Sequence, residues 1–192
     1  MPIGGLTALN AIEESRLKES EFILVFGGSG NTGLFCSQIG KILGAYTISI
    51  SSKPWVKEYG ADLVFENNIS LKEEISHVTN GNMIDVVINS LGEKTWGQGM
   101  NLVGKLGRII TYGVLTGGNL LTDGRLLYNN QITIKGTTGG SIKGLTRLID
   151  MVKRNNIRTK IWQRYSLEDS KKAIEKVFDR NREGRIIIEN NV

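Results

Sequence analysis

The sequence predicts an α/β fold, a doubly wound parallel sheet in three layers with helices on both faces. Three observations predict it. Short continuous apolar runs such as "FILVF" (22–26) have the pattern of strands buried on both faces. Segments with helical apolar spacing lie between them, and strands that alternate with helices form parallel sheets. The chain of 192 residues can bury one substantial core but is short for two complete domains.

Taken in order, Leu6, Leu9, Ile12 and Leu17 predict an amphipathic helix ahead of the first strand. Phe22–Phe26 is the first strand, closed by glycines. The next helix carries Leu34, Phe35, Ile39, Ile42 and Leu43 on a helical repeat, with Gly44 where a C-cap is expected. Tyr46–Ile50 is extended and completes a βαβ unit within about thirty residues. The alternation continues with a helix over Pro54–Tyr59, strand "LVFE" (63–66), a helix over Leu71–Val78 and strand "IDVVIN" (84–89). A helix over 95–102 and strand "GRIITYG" (107–113) follow, then strand "QITIKG" from Gln131 to Gly136 and a helix over 142–153. Near the end, 167–178 predicts a helix and "GRIIIEN" (184–190) a strand that still needs a partner. The main domain is therefore expected over 1–165, with 166–192 as an attached helix and strand.

Composition narrows the function. Lys and Arg number 24 against 19 Asp and Glu, a formal charge of +5 that favours phosphate-bearing ligands but is too diffuse for a nucleic-acid groove. Cys36 is the only cysteine, so no internal disulfide forms. With His77 as the only histidine, a zinc site of three or four Cys/His ligands cannot be assembled, and no zinc is expected in this chain. The start "MPIGGLTALN" has neither a basic n-region nor a long apolar run, and no segment reaches membrane-spanning length. The expectation is a cytoplasmic protein with no membrane or nucleic-acid partner.

Gly28, Gly30 and Gly33 form G-x-G-x-x-G between a predicted strand and a predicted helix. In a dinucleotide site the first glycine makes the tight turn, the second lets backbone approach a pyrophosphate, and the third lets helix pack on strand. The helix N-terminus then offers unpaired N–H groups to phosphate, and Asn31 and Thr32 in the first turn add side-chain donors. The alternative is a purely structural loop. No Lys-Ser or Lys-Thr follows the loop, so the P-loop pattern fails. No Tyr is followed four positions later by Lys, which removes the Tyr-Lys pair of the short-chain reductases.

An NAD site expects Asp or Glu roughly twenty residues beyond the loop, at the end of the second strand. Here that place reads "SISSK", and Ser51, Ser52 and Lys53 supply hydroxyls and a cation suited to a 2′-phosphate. NADP(H) is favoured over NAD(H). Lys53 has a second reading, as a surface lysine at a helix start.

These residues resemble the medium-chain dehydrogenase/reductase superfamily, which contains zinc alcohol dehydrogenases and quinone oxidoreductases. "GGLTALNAI" is similar to that family's entry helix and "VFGGSGNTG" to its phosphate loop. "GKILGAYTISISSKPWVKEYGADLVFE", "DVVINSLGEKTWGQGMNLVGKLGRIITYGVLTGG", "RLLYNNQITIKGTTGGS" and "EGRIIIEN" are similar to its later elements. The resemblance implies a Rossmann domain whose nicotinamide end is lined by Thr7 and by the turn of Gly113 and Val114; otherwise Thr7 is an ordinary polar helix residue and Gly113 an ordinary turn glycine. Asn67 departs from the family, where many quinone-reductase-like members place an aromatic residue against the adenosine.

The resemblance further implies that a preceding barrel-like domain supplies zinc ligands, proton relay and most of the substrate pocket, and that this sequence begins after it. Residues 166–192 would belong with that domain. The strand from Gln131 to Gly136 would pair with its copy in a homodimer, which also protects a bare sheet edge. The functional expectation is an NADP(H)-binding domain that positions nicotinamide for hydride transfer in an oxidoreductase. Its alternative is a non-catalytic NADPH-binding module or sensor subunit, and no catalytic residue is assigned.

Overall fold

The computed structural model describes residues 2–179 and 181–190. Its contacts divide the chain into two compact units, 1–157 and 158–192.

The first unit opens with helix α1 (Pro2–Ser15), strand β1 (Phe22–Phe26), helix α2 (Asn31–Ile42) and strand β2 (Tyr46–Ile50). A 3-10 helix (Pro54–Tyr59), β3 (Leu63–Phe65), α3 (Leu71–Val78), β4 (Ile84–Ile88) and α4 (Glu93–Leu102) follow. The unit closes with β5 (Val103–Thr111), α5 (Gly124–Asn129), β6 (Thr133–Gly136) and α6 (Ile142–Asn155). All six strands are parallel, in the order β3-β2-β1-β4-β5-β6. The strand order reverses between β1 and β4, and a crevice outside the carboxyl ends of the strands at that point is where open α/β sheets bind ligands.

Alternation along the buried strands produces the three layers. Ile23 and Val25 of β1 pack with Val86, Ile88 and Ile110 beneath Leu9, Ile12, Phe35, Ile39 and Leu148 of α1, α2 and α6. Leu24 and Phe26 face the other way, with Ile48 and Ile50, toward Leu71, Ile75, Trp96 and Met100 of α3 and α4. A small third cluster of Leu34, Trp55, Val56 and Ala61 anchors the 3-10 helix to α2.

The second unit contains β7 (Ile161–Ser166), α7 (Ser170–Val177) and β8 (Arg185–Glu189). Strands β7 and β8 form a parallel two-stranded sheet, with Tyr165 opposite Ile188. β7 is the partner that the last strand needs, and both strands lie in the unit that begins at Arg158.

Several boundaries differ from the sequence expectation for local reasons. Arg16 takes a left-handed φ of 51° and ends α1, so Leu17 reaches the core from outside the helix. β5 starts earlier than expected, at Val103, and contains an irregularity where Leu106 has φ 62°. Gln131, with φ 52°, turns the chain before β6, which leaves only Thr133–Gly136 extended.

Candidate functional site

β1 delivers the chain directly into the glycine turn. Gly27 adopts φ +71°, the left-handed region that glycine enters without a steric penalty. Gly30 N–H donates to Gly27 O at 2.9 Å and Gly28 N–H donates to Ile50 O at 3.0 Å, tying the turn to itself and to the tip of β2. A Cβ on Gly28 would meet Ser49 Cβ at 2.7 Å and Val56 Cγ1 at 3.4 Å. A Cβ on Gly33 would lie 2.4 Å from Gly27 O, so the helix could not sit this close to the strand end. On Gly30 the only protein atom met is Gly27 O at 3.1 Å, and Gly30 is exposed.

Gly30 is the N-cap of α2, with φ −69° and ψ 157° and no side-chain cap. Leu34 N–H donates to Gly30 O at 2.9 Å, while the N–H groups of Asn31, Thr32 and Gly33 have no acceptor among the described residues. Asn31 and Thr32 are half-buried, and Asn31 Oδ1 is buried without a hydrogen-bond partner. Beneath the turn, Ser37 and Ser49 share a buried 2.8 Å hydrogen bond between their hydroxyls. Gly28 and Gly33 let the turn close tightly on β2 and α2, and the exposed Gly30, the free first-turn amides and the orphaned amide oxygen fit a phosphate-bearing ligand with hydroxyl groups.

At the tip of β2, Ser51 is half-buried and its Oγ accepts from Lys53 N–H at 3.0 Å; Ser52 is exposed and Lys53 half-buried. Ser51, Ser52, Pro54, Lys57, Leu63, Val64 and Glu66 line a cavity of about 330 Å³. Lys57 and Glu66 oppose one another in charge there. Asn67 is exposed just past β3.

The tips of β4 and β5 form the other side. Asn89 is fully buried; its Oδ1 accepts from Thr95 Oγ1 at 2.9 Å and Leu91 N–H at 3.1 Å, and its Nδ2 has no partner. A Cβ on Gly113 would lie 3.3 Å from Ser90 O, so the two strand tips are in contact, with Val114 exposed beside them. Thr7 is half-buried on α1, one turn beyond Gly4. Burial pushes the Cys36 thiol up to about 12, and burial with the nearby Cys36 pushes the Tyr112 phenol above its usual range, so both remain protonated at neutral pH.

The structure therefore joins Gly28, Gly30, Asn31, Thr32 and Gly33 in one turn and sets Ser51 and Ser52 at the neighbouring strand tip. Sequence reasoning missed Gly4, Gly27, Ser49, Asn89 and Ser90. The adjacent "GG" signalled Gly27, and the polar pair closing "VVINS" at a strand end signalled Asn89 and Ser90. Among the described residues no group of three or more His, Cys, Asp or Glu could hold a metal ion. Among the described residues no helix is long and apolar enough to cross a membrane.

The zinc-binding dehydrogenase family model matches residues 32–154. The chain is 27% identical to the NAD-dependent alcohol dehydrogenase of Sulfolobus acidocaldarius, over 96% of this chain and 55% of the relative. It is 26% identical to a quinone oxidoreductase of Pseudomonas aeruginosa, over 96% of this chain and 61% of that protein. The cobalt- and zinc-bound thermostable alcohol dehydrogenase of Pyrobaculum aerophilum superposes with a TM-score of 0.84 at 30% identity, covering 98% of this chain and 56% of that one. The chain thus spans a little over half the length of these relatives. Sheet order, glycine turn and family match agree, and the chain belongs to the zinc-binding dehydrogenases of the medium-chain dehydrogenase/reductase superfamily, as a cofactor-binding domain of the alcohol dehydrogenase and quinone oxidoreductase type.

Proposed function

We propose that the crevice at the strand tips binds NADP(H) and that the chain positions the nicotinamide for hydride transfer to an acceptor held by a companion N-terminal domain. The observation that carries this reading is the open turn at Gly30, held tight by Gly28 and Gly33, where the first-turn amides of α2 have no acceptor among the described residues. Bound there, the cofactor supplies the hydride chemistry, and the protein's contribution is placement and exclusion of water.

Backbone N–H groups of Asn31, Thr32 and Gly33 hold the pyrophosphate, aided by the positive end of α2. Ser51, Ser52 and Lys53 meet the 2′-phosphate in place of the carboxylate that an NAD site uses. Thr7, Gly113 and Val114 line the nicotinamide ring. Thr7, Gly113 and Val114 carry no ionisable side chain, so proton transfer at the nicotinamide end falls to the companion domain. Residues 166–192 dock on that domain, and exposed Leu167, Ile174 and Phe178 supply apolar surface for it. β6, an edge strand with Thr133, Lys135 and Gly136 exposed, pairs with its copy in a homodimer. The working compartment is the cytoplasm.

Titration with NADPH, followed by nicotinamide fluorescence, tests the reading. Saturable binding that free phosphate and pyrophosphate weaken is expected, and a linear, unsaturable signal would contradict it.

A further inference from the structure

Two glycines lie side by side in α1 and face different neighbours. A Cβ on Gly5 would meet the side-chain ends of Leu148 and Phe35, at 2.9 Å and 3.3 Å, apolar core atoms away from the glycine turn. A Cβ on Gly4 would fall 1.7 Å from Asn31 Nδ2, 2.8 Å from Asn31 Cγ and 3.3 Å from Thr32 Oγ1. The space that a side chain at position 4 would fill is thus occupied by the amide of the first residue of α2, immediately after the N-cap glycine. That amide is also incompletely paired, because Asn31 Oδ1 is buried without a partner.

Glycine is a poor helix residue, so α1 gives up helix propensity at this place. A buried amide oxygen without a partner is a further cost. Both are explained if the amide has a ligand to meet.

We infer that Gly4 is a positioning residue for the dinucleotide site: by having no side chain it seats the Asn31 amide beside the phosphate turn, where that amide hydrogen-bonds the bound cofactor. This rests on the dinucleotide reading above. The amide offers one acceptor and two donors to the cofactor's hydroxyl and phosphate oxygens, and rotation of the side chain on binding brings the buried Oδ1 out to meet them. Asn31 touches the ligand. Gly4 acts chiefly through Asn31, whose amide a side chain at position 4 would meet first, ahead of Thr32 Oγ1.

The test is a double-mutant cycle on NADPH affinity with Gly4→Ala, Asn31→Ala and the double variant, alongside Gly97→Ala, a helix glycine whose Cβ would meet nothing within 4 Å. Gly4→Ala and Asn31→Ala are each expected to weaken binding about tenfold, the scale of one hydrogen bond to a charged or polar ligand group. The double variant is expected to bind no worse than Asn31→Ala alone, because the residue through which Gly4 acts is already gone. Without ligand, Gly4→Ala should shift the Asn31 side-chain ¹⁵N–H resonances and lower the melting temperature, while Gly97→Ala raises it. Wild-type affinity in Gly4→Ala, or losses that multiply in the double variant, would overturn the inference while leaving the dinucleotide reading intact. If the wild-type chain binds neither NADPH nor NADH, the dinucleotide reading fails and the role of Gly4 falls with it. Should Gly4→Ala prove unstable, recovery of folding in the double variant would still support the collision, and continued instability would overturn it.

Discussion

A Cβ on Gly28 would lie 2.7 Å from the Cβ of Ser49, so the glycine turn rests on the tip of β2 through a glycine. Ser49 cannot retreat easily, because its hydroxyl is hydrogen-bonded to Ser37 in the buried layer below. Gly28→Ala is expected to lower stability by about 1–3 kcal/mol, the usual cost of overpacking. At Gly30 only the Gly27 carbonyl is near, at 3.1 Å, and the backbone is extended. Gly30→Ala should lower stability by less than about 1 kcal/mol yet weaken NADPH binding by crowding the pyrophosphate. Urea denaturation of both variants, beside NADPH titration of Gly30→Ala, separates the two roles.

Lys53→Ala should weaken NADPH and leave NADH nearly unchanged. Loss of one cation from a 2′-phosphate is expected to cost about 1.4 kcal/mol, or about tenfold in Kd. Glu66 lines the neighbouring cavity with Ser51 and Ser52, so Glu66→Gln should strengthen NADPH binding modestly. Equal losses for both cofactors in Lys53→Ala would remove the 2′-phosphate role.

Cys36 is fully buried, and burial holds its thiol at about 12 against an ordinary 9.0. The folded protein keeps this proton while the unfolded chain releases it, so stability falls as pH rises from about 9 toward about 12. Within that window each pH unit costs about 1.4 kcal/mol from this group. Denaturation midpoints measured between pH 8 and 10 should fall less steeply for Cys36→Ala than for the wild type. Thiol reagents at pH 7.5 should label Cys36 only in denaturant.

If the exposed edge at Thr133–Gly136 pairs with its copy as proposed, the chain is a dimer at micromolar concentration. Light scattering is expected to give twice the 21.2 kDa chain mass. A monomer alone at that concentration would refute the edge pairing.

The parallel sheet was legible because β1 is apolar throughout, and β2 and β4 are mainly apolar and largely buried, interrupted only by Tyr46, Thr47 and Ser49 in β2 and by Asp85 in β4. The tight turn after β1 was legible because only glycine satisfies the contacts at positions 28 and 33. β7 was not legible: "IWQRYS" carries Gln163 and Arg164 mid-strand and pairs only with β8, so it has no continuous apolar run. α5 was missed because it spans only Gly124–Asn129 with no buried residue, although Asp123, which accepts from Arg125 N–H at 2.8 Å, signals its start. Gly4 could not be read from sequence, since its neighbour Asn31 is distant along the chain and adjacent only when α1 packs on α2.

The most direct measurement is calorimetric titration of the chain with NADPH and NADH side by side. Saturable binding of both, tighter for NADPH, is the predicted result and joins the glycine cradle to the Ser51, Ser52 and Lys53 tip. No heat with either cofactor would contradict the account.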